Sequence, residues 1–150
     1  MVREESTFNL RNKGDVYDVD LGKGFGGAVR STPLVHTVLV VDDEPSVLDV
    51  MAIMLGELGC EVLTAGNARE ALATLAADRN AGHRIDMLLT DINMPGMNGY
   101  ELAEKAKAAH ADLEVVAMSG GTTNDGSLPM IRKPLRLHDL QSAMRRVWPH

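Results

Sequence analysis

Short apolar runs alternate with longer amphipathic stretches from His36 to the end of the chain. Val38–Val41 is a continuous run, the pattern of a strand covered on both faces of a sheet. Pro45 suits a first helical position, and Val47, Met51, Met54, Leu55 and Leu58 recur at helical spacing up to Gly59. Val62–Thr64 predicts a second strand. Asn67 and Glu70 carry a capping-box pattern that opens a helix to about Ala77, and the polar stretch Asp78–Arg84 is expected as a loop. Ile85–Thr90 predicts a third strand, and Asn98 with Glu101 caps a helix to about Ala109. Leu113–Met118 and Met130–Arg132 predict two more strands, and Leu137, Leu140, Met144 and Val147 mark a last helix.

This rhythm predicts a doubly wound α/β domain with a five-stranded parallel sheet, flavodoxin-like in strand order 2-1-3-4-5. One crossover breaks the rhythm. Only Gly120–Pro129 separates the fourth and fifth strands, with loop composition and no apolar stripe. A parallel crossover with its helix takes about a dozen residues or more. The fourth helix is therefore expected to be absent or reduced to a turn.

Residues 1–36 differ from the rest. They hold five of the 14 glycines, both phenylalanines and weak apolar periodicity, with Gly22-Lys23-Gly24-Phe25-Gly26-Gly27 interrupting any regular element. They are expected to form a flexible extension with a short strand near Val16–Leu21, leaving 37–148 as the folded domain. Gly22, Gly24 and Gly27 formally match a dinucleotide fingerprint, but Pro33 follows too soon for the helix that such a site needs.

Composition narrows the function. The chain has 150 residues, 45% hydrophobic and 24% charged, with a net charge of -6. Acidity of this size opposes general affinity for nucleic acid or anionic membranes. Cys60 is the single cysteine, expected as a small apolar residue, so no internal disulfide exists. No apolar stretch approaches the roughly 20 residues of a membrane span. The amino terminus does not read as a secretory signal, so a cytoplasmic location is expected. The five histidines are scattered without metal-ligand spacing.

The candidate chemistry lies at the carboxyl ends of the strands. Strand one runs into Asp42-Asp43, strand three into Asp91, strand four into Ser119 and strand five into Lys133. Open parallel sheets bind ligands at that edge. Three converging carboxylates repel one another, and a hard divalent cation with oxygen ligands, Mg²⁺, resolves the conflict. Asp42, Asp43, Asp91 and the main-chain carbonyl of Asn93 make such an open site. A carboxylate beside Mg²⁺ is also a nucleophile for phosphorus. The Lys133 ammonium and the Ser119 hydroxyl complement the remaining phosphoryl oxygens.

The carriers of this chemistry are Val40-Val41-Asp42-Asp43-Glu44-Pro45, Thr90-Asp91-Ile92-Asn93-Met94-Pro95-Gly96-Met97-Asn98-Gly99, Ala117-Met118-Ser119-Gly120 and Lys133-Pro134. Through them, residues 37–148 resemble the receiver domain of two-component response regulators, in the chemotaxis-regulator-like superfamily. The resemblance implies that Asp91 is the phosphoacceptor, that Asp42 and Asp43 organise Mg²⁺, that Ser119 is the switch hydroxyl and that Lys133 contacts the phosphoryl group. It implies a cis Lys133–Pro134 bond, and a histidine kinase or histidine phosphotransfer protein as the donor. The domain would catalyse its own phosphorylation and dephosphorylation without being a turnover enzyme. It would stand alone and signal through protein contacts or relay to a target that the sequence does not name.

Two positions depart from the family. Met130 stands where receivers carry an aromatic switch residue, and the short fourth crossover alters the usual output surface. Two other readings compete. One is a pseudo-receiver that binds partners without phosphorylation. The other is an Asp-nucleophile phosphohydrolase of the haloacid-dehalogenase type, whose motif needs an acid where Asn93 stands.

Overall fold

The computed structural model describes residues 35–121 and 126–148. Five strands and four helices follow one another as β1 (Thr37–Val41), α1 (Pro45–Glu57), β2 (Glu61–Ala65), α2 (Ala68–Asn80), β3 (Met87–Asp91), α3 (Gly99–Ala109), β4 (Glu114–Ser119), β5 (Met130–Arg132) and α4 (Leu137–Val147). All strand pairs are parallel, in the order β2-β1-β3-β4-β5. This is the flavodoxin-like sheet that the alternation predicts. The crossover from β4 to β5 carries no helix among its described residues. The fourth helix in chain order is instead α4, which follows β5.

Strand alternation explains the two cores. Val38 and Val40 point to one face with Met87 and Leu89, where α1 and α4 supply Met51, Leu55, Leu140 and Ala143. Leu39 and Val41 point to the other with Leu88, where α2 and α3 supply Ala71, Leu75, Leu102 and Ala106. Successive strand side chains face opposite ways, so a strand buried on both sides must be apolar at every position. Leu128, in the crossover, packs at the edge of the α2–α3 core. Trp148 caps α4 and stacks on His36, with ring centroids 3.6 Å apart and an interplanar angle of 17°.

Local chemistry adjusts several expected boundaries. Helix α2 runs three residues beyond Ala77, so Asp78–Asn80 are helical rather than loop. The Arg79 guanidinium donates to the Ala109 carbonyl at 2.9 Å and ties this last turn to the end of α3. The turn closes at Gly82, whose φ of 83° is left-handed and favours glycine. Strand β3 begins at Met87, and just before it the Asp86 carboxylate accepts the Thr37 N–H at 2.8 Å. Cys60 lies just before β2 and is half-buried, its Sγ 3.9 Å from Met144 Sδ. Burial, with help from the Asp86 charge, pushes its thiol up to about 11, which keeps it an unreactive thiol.

The two capping patterns form differently. Asn98 accepts the Glu101 N–H at 2.9 Å while Glu101 accepts the Asn98 N–H at 3.1 Å, a complete capping box on α3. At α2, Asn67 accepts from Glu70 at 2.8 Å, but the Glu70 side chain reaches back to the Gly66 N–H instead. Asn98→Ala should lower stability by about 1 kcal/mol, read as a shift of the urea midpoint with an unchanged slope.

Candidate functional site

The chain leaves β1, β3 and β4 at one edge of the sheet, and the predicted residues gather there. Asp42 follows β1 directly and is fully buried. Its N–H donates to the Ala65 carbonyl at 3.2 Å, fixing the turn out of the strand. One carboxylate oxygen accepts the Glu44 N–H at 2.9 Å, and the other accepts from Lys133 Nζ at 2.8 Å. Asp91 closes β3 and is 5% exposed. Its Oδ1 accepts the Asn93 N–H at 3.3 Å, and its Oδ2 lies 3.4 Å from Lys133 Nζ. Asp43 is exposed, at the mouth of the site. One carboxylate oxygen from each of Asp42, Asp43 and Asp91 falls within 4.8 Å of the others.

Ser119 ends β4, one residue beyond Met118, the partner of Asp91 in the β3–β4 register. It is 3% exposed, and its Oγ accepts the Gly121 N–H at 3.1 Å. Lys133 follows β5, and its N–H donates to the Ser119 carbonyl at 2.8 Å. The Lys133–Pro134 peptide is cis. Asn93 is exposed beside Asp91, with its N–H turned to the carboxylate. Met130 opens β5, half-buried and in register with Ala117, two residues before Ser119.

Asp42 and Asp91 share the Lys133 ammonium. Burial raises the Asp91 carboxyl above its ordinary range, and the Asp42 charge adds to this. The Lys133 charge and the Asn93 N–H only partly offset the rise. Burial alone would lower Lys133, but its hydrogen bond to Asp42 and the charges of Asp91 and Asp42 hold its ammonium above the usual value. A carboxyl raised on folding makes the folded state the stronger proton binder, so its ionisation weakens the fold as pH climbs. Asp91→Asn should therefore be more stable than the unsubstituted Mg²⁺-free protein at neutral pH. That gap should close as pH falls through the raised Asp91 value toward the ordinary carboxylate value, a comparison that urea titrations at several pH values read directly.

Two residues at the ends of the Thr90–Gly99 motif gain a role only from the fold. Gly99 opens α3 and packs against the backbone of Asp91. A Cβ there would collide with the Asp91 carbonyl oxygen and lie 2.9 Å from Ile92 Cα. The Gly99 N–H donates to the Ile92 carbonyl at 2.9 Å, pinning the loop that carries Asp91. Thr90 is fully buried, and its hydroxyl donates to the Asp91 carbonyl at 3.0 Å. The glycine is visible in the sequence, but only the fold shows what it leaves room for. Thr90 opens the same motif, but its hydroxyl contact shows only in the fold.

Residues 38–145 match the family model of the response regulator receiver domain. The chain belongs to this family. It is 36% identical over 127 residues to the two-component response regulator ARR11 of Arabidopsis thaliana, covering 79% of this chain and 23% of that protein. It is 36% identical over 124 residues to the transcriptional regulatory protein AruR of Pseudomonas aeruginosa, covering 76% of this chain and 50% of that one. The chain thus spans half or less of the length of these relatives. Among solved structures it resembles the chemotaxis protein CheY4 of Vibrio cholerae, with a TM-score of 0.67 and 27% identity over 76% of this chain and 99% of that one. The receiver domain of the hybrid histidine kinase CckA gives a TM-score of 0.62 and 33% identity over 74% and 97%. The response regulator TrrA of Thermotoga maritima, solved in complex with Mg²⁺–BeF, gives 0.65 and 25% over 75% and 99%. No helix among the described residues is long and apolar enough to cross a membrane.

Proposed function

We propose that this receiver domain, residues 37–148, accepts a phosphoryl group on Asp91 from a phosphohistidine donor. The observation that carries the reading is the convergence of three carboxylate oxygens within 4.8 Å, with an ammonium 2.8 Å from Asp42 and 3.4 Å from Asp91. Asp91 Oδ attacks phosphorus as the P–N bond of the donor breaks, and the imidazole leaves with the bonding pair. The product is an acyl phosphate. Asp42, Asp43, Asp91 and the Asn93 carbonyl are the ligand set for Mg²⁺, which supplies neutralisation of the charge on the transferring group. Lys133 moves its hydrogen bond from the carboxylates to a phosphoryl oxygen, and Ser119 turns its hydroxyl to another.

The donor is a histidine kinase or a histidine phosphotransfer protein. An apolar groove of about 420 Å³ lies beside the site, lined by Val47, Val50, Met54 and Leu135 among others, and suits a donor that presents an apolar face. Ser119 and Met130 then carry the change to the β4–β5 crossover. Met130 replaces a rotating ring with an unbranched side chain that repacks readily.

Incubation with a small phosphodonor, followed by intact-mass measurement, tests the reading. A gain of one phosphate that requires Mg²⁺ and is lost in Asp91→Ala supports it. No gain under any condition favours a phosphorylation-independent interaction module. Sustained release of phosphate from small esters favours a hydrolase.

A further inference from the structure

Among the described residues, four polar or charged residues are buried: Asp42, Thr90, Asp91 and Ser119. Three of them belong to the chemistry proposed above. Thr90 does not, and it is fully buried. It follows the apolar Met87, Leu88 and Leu89 in β3, and by alternation it shares the face of Leu88, toward the α2–α3 core. A hydroxyl in such a place weakens the core unless it is hydrogen-bonded. Valine has nearly the same shape and would fill the position without that requirement.

The hydroxyl donates to the Asp91 carbonyl at 3.0 Å. The sheet shows why a donor is useful there. The Ile92 N–H donates to the Met118 carbonyl on β4 at 3.0 Å, so by alternation the Asp91 carbonyl faces β1. The β1–β3 register stops at Val41 opposite Thr90, one residue short of Asp91. Past Val41 the chain leaves the strand for the turn into α1. Thr90 supplies a donor from within β3 itself. Gly99 packs against the same carbonyl, and a Cβ there would collide with it.

We propose, resting on the reading of Asp91 as the phosphoacceptor, that Thr90 is a positioning residue: its hydroxyl fixes the plane of the Asp91 peptide and so aims the carboxylate. That carboxylate is one methylene from the backbone. A tilt of the peptide plane moves both its oxygens against Lys133 Nζ, and attack on phosphorus tolerates little displacement. Threonine suits the task because its β-branch restricts χ1 and holds the hydroxyl in place. Its side chain faces away from that of Asp91, so it acts through the backbone alone.

The test uses the full chain with phosphoramidate as the donor, well below the melting temperature, and follows intact mass over time. Thr90→Val keeps the volume and removes the donor, and Thr90→Ala removes both. Each should slow phosphorylation at saturating Mg²⁺ by about fivefold, the ratio that corresponds to one ordinary neutral hydrogen bond. Thr90→Ser keeps the hydroxyl and should stay within about twofold of the unsubstituted rate, because only the stiffness of the β-branch is lost. The Mg²⁺ concentration for half the maximal rate should stay the same in all three, because Asp42 and Asp43 hang from β1 rather than β3. Thr90→Val reacting at the unsubstituted rate, Thr90→Ser as slow as Thr90→Val, or a change confined to the Mg²⁺ requirement would each overturn the proposal and leave Asp91 as the acceptor. An unsubstituted protein that takes up no phosphate would overturn the acceptor reading and the role of Thr90 with it.

Discussion

Lys133→Met should destabilise the Mg²⁺-free protein by about 3 kcal/mol, the lower end of the cost of breaking a buried ion pair from one side. Lys133 Nζ is the shared cation of Asp42 and Asp91, at 2.8 and 3.4 Å. Asp42 is fully buried, and its remaining side-chain partner is the Glu44 N–H. Removing the ammonium leaves two buried carboxylates facing each other beside Asp43. The lower end applies because the Lys133 side chain retains 20% exposure, so water screens part of the loss. Mg²⁺ restores positive charge to the same carboxylates. It should stabilise the unsubstituted protein by about 2.7 kcal/mol at one hundred times its dissociation constant, and should recover part of the loss in the variant. Urea titrations of both proteins, with Mg²⁺ and with chelator, measure all four values. A variant as stable as the unsubstituted protein in chelator would mean that the acids are already protonated or apart.

Gly99→Ala should cost about 1–3 kcal/mol and also slow phosphorylation. The added methyl meets backbone on two sides, the Asp91 carbonyl and Ile92 Cα. Backbone yields less readily than the end of a flexible side chain, so either α3 or the end of β3 must shift. A shift of β3 moves Asp91 against Asp42 and Lys133, whose hydrogen bonds set the site. The sensitivity of phosphoryl transfer to small displacements then predicts a lower rate even in conditions where the variant is fully folded. The rate with a small phosphodonor, measured well below the melting temperature, separates the two effects.

Much of this was legible in the sequence, for physical reasons that can be named. The runs Val38–Val41 and Met87–Thr90 have no polar alternation because helices cover both faces of their sheet. The acids at their ends are likewise visible, because parallel topology sends every strand out at the same edge. Helix ends were less legible. Asp78–Asn80 read as loop because their polarity hides the tie from Arg79 to the Ala109 carbonyl, a contact 30 residues away in sequence. The roles of Gly99 and Thr90 rest on close approach to the Asp91 backbone, which periodicity cannot express. The extension expected over residues 1–36, with its strand near Val16–Leu21, falls almost wholly outside the described residues.

The β4–β5 crossover shows how a short connection is accommodated. Leu128 reaches the edge of the α2–α3 core, and Pro129 lends its carbonyl to the Ala117 N–H at 2.8 Å. The parallel register of β4 with β5 therefore holds over Ala117–Ser119 without a helix among the described residues between them. Ser119 and Lys133 are linked through that register. A change in the crossover thus has a direct route to both polar groups of the site.

The most direct measurement is chemical trapping of the product. An acyl phosphate is reduced by borohydride to the alcohol, which converts an aspartate into homoserine at the position that carried the phosphoryl group. After phosphodonor treatment with Mg²⁺ and reduction, peptide mapping should find that conversion at Asp91 and at no other acid. Conversion at Asp42 or Asp43, or a stable phosphate ester on Ser119, would contradict the assignment of the nucleophile.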